Sequence, residues 1–171
     1  RLLAGLAGAA ILTGAGLYAA SERILRRSHD LPLRAIALPS DPASLELGQR
    51  RATLTGCFAG CHGDTAEGQV WSDDWLTTRF TAPNLTQVIH DYGDAELARL
   101  LRHGVRADGT TAFVMPAVQF RHLTDEDLGA ILAFLKSLPP IEGPVYRRGL
   151  GPLGRLGLLR GQVYPSVDDV D

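Results

Sequence analysis

The feature that most restricts what this chain can fold into is the hexapeptide CFAGCH at residues 57–62. It contains both cysteines of the 171-residue chain, and His62 directly follows the second cysteine. Three residues separate Cys57 from Cys61. The hexapeptide therefore places two thiols and an imidazole in one short loop, and the surrounding fold has to accommodate whatever those side chains bind.

Covalent haem attachment is the chemistry that accounts for all three side chains. Two thiols can bond to the two vinyl groups on one edge of a porphyrin, and His62 can then bind the iron; the usual motif has two residues between the cysteines. The extra residue lengthens the loop by about 3.5 Å at most, and we expect Gly60 to absorb it with a positive φ. The sequence thus predicts one haem c per chain, attached at Cys57 and Cys61.

Two other uses of the cysteines stay open at this point. They could form a disulfide across a small loop, or supply half of a structural zinc site. A structural zinc site needs four ligands, usually more cysteines, and the chain has no second cysteine pair. A disulfide would give no role to His62 or to the later Met-Pro pair.

Met115 is the only methionine of the chain and the candidate for the second iron ligand. It lies in FVMPAVQF, between two predicted helices, and a thioether paired with histidine raises the potential of haem iron. The structural alternative is a methionine that fills a gap in the core. The rival ligands are the histidines His90, His103 and His122. Candidate hydrogen-bond donors to the haem propionates are Trp71, Trp75, Arg79 and Arg102.

The N-terminus predicts a membrane helix, because residues 2–20 contain no charge. A helix of that length rises about 28 Å, close to the hydrocarbon thickness of a bilayer. We therefore expect residues 1–21 to be a transmembrane signal anchor; a cleaved signal peptide is the alternative. Arg23, Arg26 and Arg27 would place the following side in the cytoplasm. Haem attachment is completed outside it, so we expect the haem domain on the periplasmic side of a bacterial inner membrane.

The rest of the chain predicts an all-α protein. Residues 22–40 contain two prolines and are expected to form an extended linker. Residues 41–140 contain three helix patterns: one begins after a cap at Asp41 or Ser40, one is capped by Asp94 and ends at Gly104, and one follows Thr124. No segment predicts a strand. Residues 141–171 are expected to form an irregular tail, either a strap over the domain or a docking segment for a partner.

The order of these motifs resembles a class I c-type cytochrome domain. The resemblance covers about residues 41–140 and includes a proline-initiated helix, CFAGCH, APNL, ELARLLRHG, MP and a final amphipathic helix. With its anchor and tail, the chain is similar to the membrane-anchored mono-haem cytochrome c subunits of respiratory complexes. The resemblance implies a small helical domain in which the first and last helices cross, with Gly48 close to Ile131 and Phe134.

The resemblance also assigns roles to individual residues. His62 would be the proximal iron ligand and Met115 the distal one. The carbonyl of Pro83 would accept the Nδ1 proton of His62, and Leu85 would pack on the porphyrin.

The function expected from these features is electron transfer by a membrane-tethered chain. The partners would be a membrane respiratory oxidoreductase complex or another redox protein, and the lipid bilayer. By itself the chain is expected to be a subunit rather than an enzyme. The net charge of −2 gives no indication of nucleic-acid binding. The alternative is a haem enzyme or gas sensor with an open or displaceable sixth coordination site.

Overall fold

A computed structural model describes residues 2–163 and 165–169 of the chain. It begins with helix α1 (Leu2–Leu25), which extends four residues beyond the expected anchor of residues 1–21. Within the described residues, α1 is the one helix that is long and apolar enough to cross a bilayer. The most apolar 18 consecutive residues of α1 are not buried against the rest of the protein.

Residues 26–40 have no regular secondary structure, and they lie against the domain that follows. The amide of His29 donates to the carbonyl of Gly109 at 2.9 Å. Ile36 and Leu38 pack against the hydrophobic core. The segment after α1 is therefore attached to the domain surface along its length.

All three helices predicted for residues 41–140 are present. They are α2 (Pro42–Leu54), α4 (Asp94–His103) and α6 (Asp125–Ser137). Of the two caps expected for α2, Asp41 occupies the position and Ser40 does not, and the predicted cap of α6, Thr124, is confirmed; both side chains accept hydrogen bonds from the amides three residues ahead. The predicted cap of α4 was wrong by one residue: Gly93 occupies this position, and its amide donates to the side chain of Glu96 at 2.8 Å.

Helices α2 and α6 cross in close contact at Gly48. A Cβ atom at Gly48 would lie 2.0 Å from the carbonyl oxygen of Ala130 and 2.9 Å from Cβ of Phe134. The expected crossing is therefore present, with Ala130 in place of Ile131 as the nearest neighbour of the glycine. The core beside it is built from apolar side chains of α2, α4 and α6: Ala52, Leu97, Leu101, Leu128, Ile131, Leu132 and Leu135.

The expectation of an all-α fold was wrong in one respect, because the structure contains a small antiparallel sheet. Its strands are β1 (Gln69–Asp73), β2 (Thr78–Ala82) and β3 (Arg148–Leu150), in the order β1-β2-β3. The turn between β1 and β2 is held by Asp74, whose side chain accepts from the amide of Leu76 at 2.9 Å. Strand β3 is contributed by the C-terminal tail, so its pairing joins segments about 70 residues apart and leaves no local sequence pattern.

The tail is also more ordered than the expected irregular segment. After β3 it forms helix α7 (Pro152–Leu159), which packs against α1. The amide of Gly151 donates to the carbonyl of Thr77 at 2.9 Å and so links the start of α7 to the sheet. Two four-residue helices, α3 (Leu85–Val88) and α5 (Ala117–Phe120), complete the α-helices of the described residues.

Candidate haem site

The residues predicted from the sequence converge on one cavity of about 650 Å³. Cys57, Cys61, His62 and Met115 all line it. The remaining wall is largely apolar and includes side chains from β2, α3, the turn after α3, α4, α5 and α6: Phe80, Leu85, Ile89, Leu97, Leu101, Phe120, Leu132 and Leu135. Its volume lies within the range of pockets that hold small-molecule cofactors.

The loop from Cys57 to Cys61 forms a single wide turn, closed by a hydrogen bond from the amide of His62 to the carbonyl of Cys57 at 3.2 Å. The expectation that Gly60 would absorb the extra residue was wrong. The positive φ angles are at Gly56 (79°) and Ala59 (22°), and a left-handed angle is rare for a residue with a Cβ. Both thiols are free, with Cys57 buried and Cys61 partly exposed.

His62 is held by the segment that follows β2. Its Nδ1 lies 2.8 Å from the carbonyl oxygen of Pro83, the contact that the family resemblance implies. Because a carbonyl oxygen only accepts, Nδ1 carries the proton, and in the neutral ring Nε2 is then the unprotonated nitrogen. Burial lowers the pKa of His62, and the bond to Pro83 opposes this to a smaller extent. The ring is therefore kept in the neutral form that binds a metal.

The position of Pro83 is fixed by the start of α3. The side chain of Asn84 accepts from the amide of Thr86 at 3.0 Å and caps this helix. The amide group of Asn84 also donates to the carbonyl of Ile141 at 2.8 Å. Leu85, the first residue of α3, is partly buried against the core and lines the cavity.

Met115 lies two residues before α5, and Pro116 separates them. Its side chain is partly buried against the core, and its carbonyl accepts from the amide of Ala117 at 2.9 Å. The preceding residue, Val114, has a φ of 69°, which a β-branched residue rarely adopts. Such strained backbone is often found where a side chain must be aimed into a site.

The sequence did not identify two arginines that line the cavity. Arg106 follows α4, and Arg148 is the first residue of β3; Tyr92 and Tyr146 line the cavity with them. Burial lowers the pKa of Arg106, and the charge of Arg148 lowers it further. This part of the wall therefore brings two positive charges together beside an apolar cavity, an arrangement suited to carboxylates.

Sequence reasoning could have found Arg106 but not Arg148. The predicted helix stop at Gly104 is confirmed, with a φ of 66°, and Arg106 comes two residues after it, where the chain turns back. Arg148 reaches the cavity only through the pairing of β3 with β2.

Three of the four predicted propionate donors do not line the cavity. Arg79 pairs with Asp73, Arg102 pairs with Asp125, and the side chain of Trp75 is 67% exposed. The fourth, Trp71, does line the cavity, but its indole N–H donates to the carbonyl of Cys61 at 3.0 Å. The rival iron ligands also lie elsewhere: His90, His103 and His122 are exposed and outside the cavity wall.

The donors present fit a haem c better than the two alternatives from the sequence. Both cysteines are free, and residues 2–163 and 165–169 contain no cluster of three or more His, Cys, Asp or Glu side chains that could hold a metal ion. A neutral imidazole and a thioether suit iron in a porphyrin. The apolar wall suits the macrocycle, and the arginine pair suits its carboxylates.

Comparison with known proteins finds a family model and several relatives that match this chain. Residues 45–139 match the family model described as Cytochrome c. The chain is 29% identical over 126 residues to the fructose dehydrogenase cytochrome subunit of Gluconobacter japonicus, an alignment that covers 63% of this chain and 26% of that protein. It is 30% identical over 142 residues to the cytochrome c subunit of alcohol dehydrogenase (quinone) from Gluconacetobacter polyoxogenes, with 76% of this chain and 30% of that protein covered.

A third relative, the corresponding alcohol dehydrogenase subunit of Gluconobacter oxydans (strain 621H), is 28% identical over 145 residues and is covered to 30% of its length. The chain thus spans less than a third of the curated relatives that it matches.

Proposed function

The chain belongs to the cytochrome c family, and on that premise we propose that it is a membrane-tethered electron-transfer protein with one haem c held between His62 and Met115. When bound, the cofactor supplies an iron that cycles between the ferric and ferrous states. The observation that carries the proposal is that both thiols, the imidazole and the only methionine line a single apolar cavity.

The Cys57–His62 loop attaches the cofactor and orients its first ligand. Cys57 and Cys61 supply the two thiols for thioether bonds. The hydrogen bond to Pro83 holds His62 in one tautomer and one ring orientation, so that Nε2 is the ligand atom. A ligand that is already oriented needs little rearrangement when the charge on the metal changes.

The rest of the wall stabilises the charges of the cofactor and excludes water. Arg106 and Arg148 supply positive charge for the propionates, while the phenols of Tyr92 and Tyr146 lie on the same part of the wall. The apolar side chains, Leu85 among them, surround the macrocycle. A low-polarity environment favours the less charged ferrous centre, and so raises the potential together with the thioether ligand.

We propose that residues 1–21 anchor the chain in the bacterial inner membrane and that residues 41–140 form the cytochrome domain on the periplasmic side. The exposed apolar surface of α1 supports the anchor. Residues 22–40 and 141–171 connect and brace these two parts. A tether raises the effective concentration of the domain beside a membrane partner, so that no strong charge steering is required; the net charge of −2 agrees with this.

The proposed partner is a membrane-bound redox complex, and a dehydrogenase complex is the first candidate. The names of the relatives describe cytochrome subunits of fructose and alcohol dehydrogenases. In such an assembly this chain would pass electrons, and the oxidation of substrate would belong to another subunit.

The experiment that tests the ligation compares Met115→Ala with Val118→Ala, a truncation of an exposed side chain three residues away. We expect the ferric wild-type protein and Val118→Ala to show a sulfur-to-iron charge-transfer band, and Met115→Ala to lack it. A band that persists in Met115→Ala would refute methionine ligation. Unhindered binding of carbon monoxide to the untouched ferrous protein would instead favour a haem enzyme or gas sensor.

A further inference from the structure

We propose that the protein has a second membrane contact, an apolar ledge formed by Trp75, Leu76 and Leu153, which lies in the headgroup layer of an anionic bilayer beside the end of α1. The inference rests on the membrane anchoring proposed above for α1. Trp75 is 67% exposed, Leu76 38% and Leu153 50%. Large apolar side chains exposed together on one surface indicate an interaction site.

The ledge is one unit because the β1–β2 turn and the start of α7 share backbone hydrogen bonds. The amide of Leu153 donates to the carbonyl of Leu76 at 3.0 Å, and the amide of Gly151 donates to Thr77 at 2.9 Å. The approach is close enough that a Cβ at Gly151 would lie 2.1 Å from the carbonyl oxygen of Trp75. The turn that carries Trp75 and Leu76 therefore keeps a fixed position beside Leu153 at the start of α7.

Helix α7 is in turn fixed to the end of α1 by Arg155. The guanidinium group donates to Oγ of Ser21 and to Oε1 of Glu22, both at 2.7 Å, and lies 4.2 Å from the centre of the Tyr18 ring. Arg155 is 9% exposed and Ser21 is fully buried. Helix α7, which carries Leu153, is consequently held beside the last two turns of α1.

The length of α1 indicates where the end of this helix lies in the membrane. The uncharged residues 2–20 rise about 28 Å, and the hydrocarbon core of a bilayer is about 30 Å thick. Ser21 and Glu22 therefore lie at the edge of the hydrocarbon. Since the headgroup regions add about 5–8 Å on each side, the ledge falls within that layer.

The chemistry of the ledge and its surroundings favours lipid over a protein partner. Tryptophan is enriched at this depth of a membrane, and leucines of a short surface helix insert at the boundary between headgroups and acyl chains. Three exposed arginines lie on or next to the two helices that carry and hold the ledge: Arg23 in the last turn of α1, Arg27 two residues after α1, and Arg160 directly after α7. Their positive charges complement anionic headgroups.

The test uses the full chain in nanodiscs of phosphatidylethanolamine and phosphatidylglycerol that contain a phospholipid with a photoreactive diazirine near its headgroup. After illumination, labelled peptides are identified by mass spectrometry. We expect labels on α1 and on the peptides that contain residues 74–77 and 151–160. The matched control is Leu54 at the end of α2, which is 78% exposed and outside the ledge; its peptide should remain unlabelled.

Two variants, Leu153→Asp and Leu54→Asp, separate the ledge from general surface hydrophobicity. We expect Leu153→Asp to reduce labelling of residues 74–77 to the level of the Leu54 peptide, and Leu54→Asp to leave it unchanged. An unchanged haem absorption spectrum shows that each variant retains its folded domain. Trp75→Glu changes the ledge without altering α7 and should reduce the labelling in the same way.

Labels on α1 without labels on the ledge would overturn the inference while leaving the anchor in place, and would assign the ledge to a protein partner. An unlabelled α1 would contradict the anchor itself, and with it the proposed tethering.

Discussion

Replacing Gly48 with alanine should destabilise the domain by separating α2 from α6. The new Cβ would lie 2.0 Å from the carbonyl oxygen and 2.6 Å from the carbonyl carbon of Ala130. Non-bonded carbon contacts are optimal at about 3.5–4.0 Å, so the helices would have to move apart by more than about 1 Å. The neighbour is backbone, and no side-chain rotation can relieve the contact.

The size of the effect follows from two opposing contributions. Overpacking in a close-packed interior costs about 1–3 kcal/mol, and a backbone clash belongs at the upper end of that range. Alanine regains about 1 kcal/mol through its higher helix propensity. The free energy of unfolding should therefore fall by about 2 kcal/mol, which at a urea dependence of about 2 kcal/mol per molar lowers the unfolding midpoint by about 1 M.

The assay is urea unfolding of the full chain in detergent, followed by far-ultraviolet circular dichroism. Gly157→Ala is the matched control, because Gly157 is also a helical glycine but a Cβ there would have its nearest neighbour at 3.7 Å, an ordinary contact. Its midpoint should stay the same or rise. A midpoint for Gly48→Ala at or above that of the wild type would refute the close crossing of α2 and α6.

Three further predictions concern a helix cap, the brace of α1 and the attachment loop. Asp41→Ala should lower the midpoint of urea unfolding at pH 7 because the cap of α2 is lost, and Asp41→Asn, which keeps the cap, should lower it much less. Hydrogen bonds from Ser44 hold the pKa of Asp41 below its ordinary value. The charge-dependent part of the stabilisation is therefore fully present above the ordinary pKa and is lost as the pH falls through the lowered pKa of the folded protein. Urea unfolding at a series of pH values across this range measures the loss. Arg155→Gln should lower the stability by about 2 kcal/mol and speed amide hydrogen exchange in α7, with exchange in α6 as the internal control. Cys57→Ala should keep one thioether bond, through Cys61, and shift the reduced absorption band to longer wavelength, whereas an unshifted band would mean that Cys57 forms no bond.

Local features of the fold were predictable because their causes lie within a few residues. A capping side chain reaches an amide three positions away, so Asp41 and Thr124 could be assigned from the sequence. Gly104 could be assigned because a left-handed residue ends a helix. The cap of α4 was misplaced because Gly93, which has no side chain to cap with, takes the position, while Glu96 satisfies its amide.

The accommodation of the extra residue in the attachment loop was not predictable from residue type. Glycine is the residue that adopts a positive φ most easily, and this favoured Gly60. The structure uses Ala59 instead, within a turn closed by the bond from His62 to Cys57. Ring closure over several residues, rather than the preference of one residue, decides where the backbone bends.

The sequence by itself determined the chemistry of this protein: two thiols and an imidazole in one loop, a single methionine, and an uncharged stretch long enough for a membrane. These are properties of residue type and spacing. Only the tertiary structure decided which distant residues meet, including the arginines of the cavity wall, strand β3, and the contact of Arg155 with the end of α1. The physical reason is that these contacts join segments about 40 to 134 residues apart, and a contact at that separation depends on how the whole chain packs.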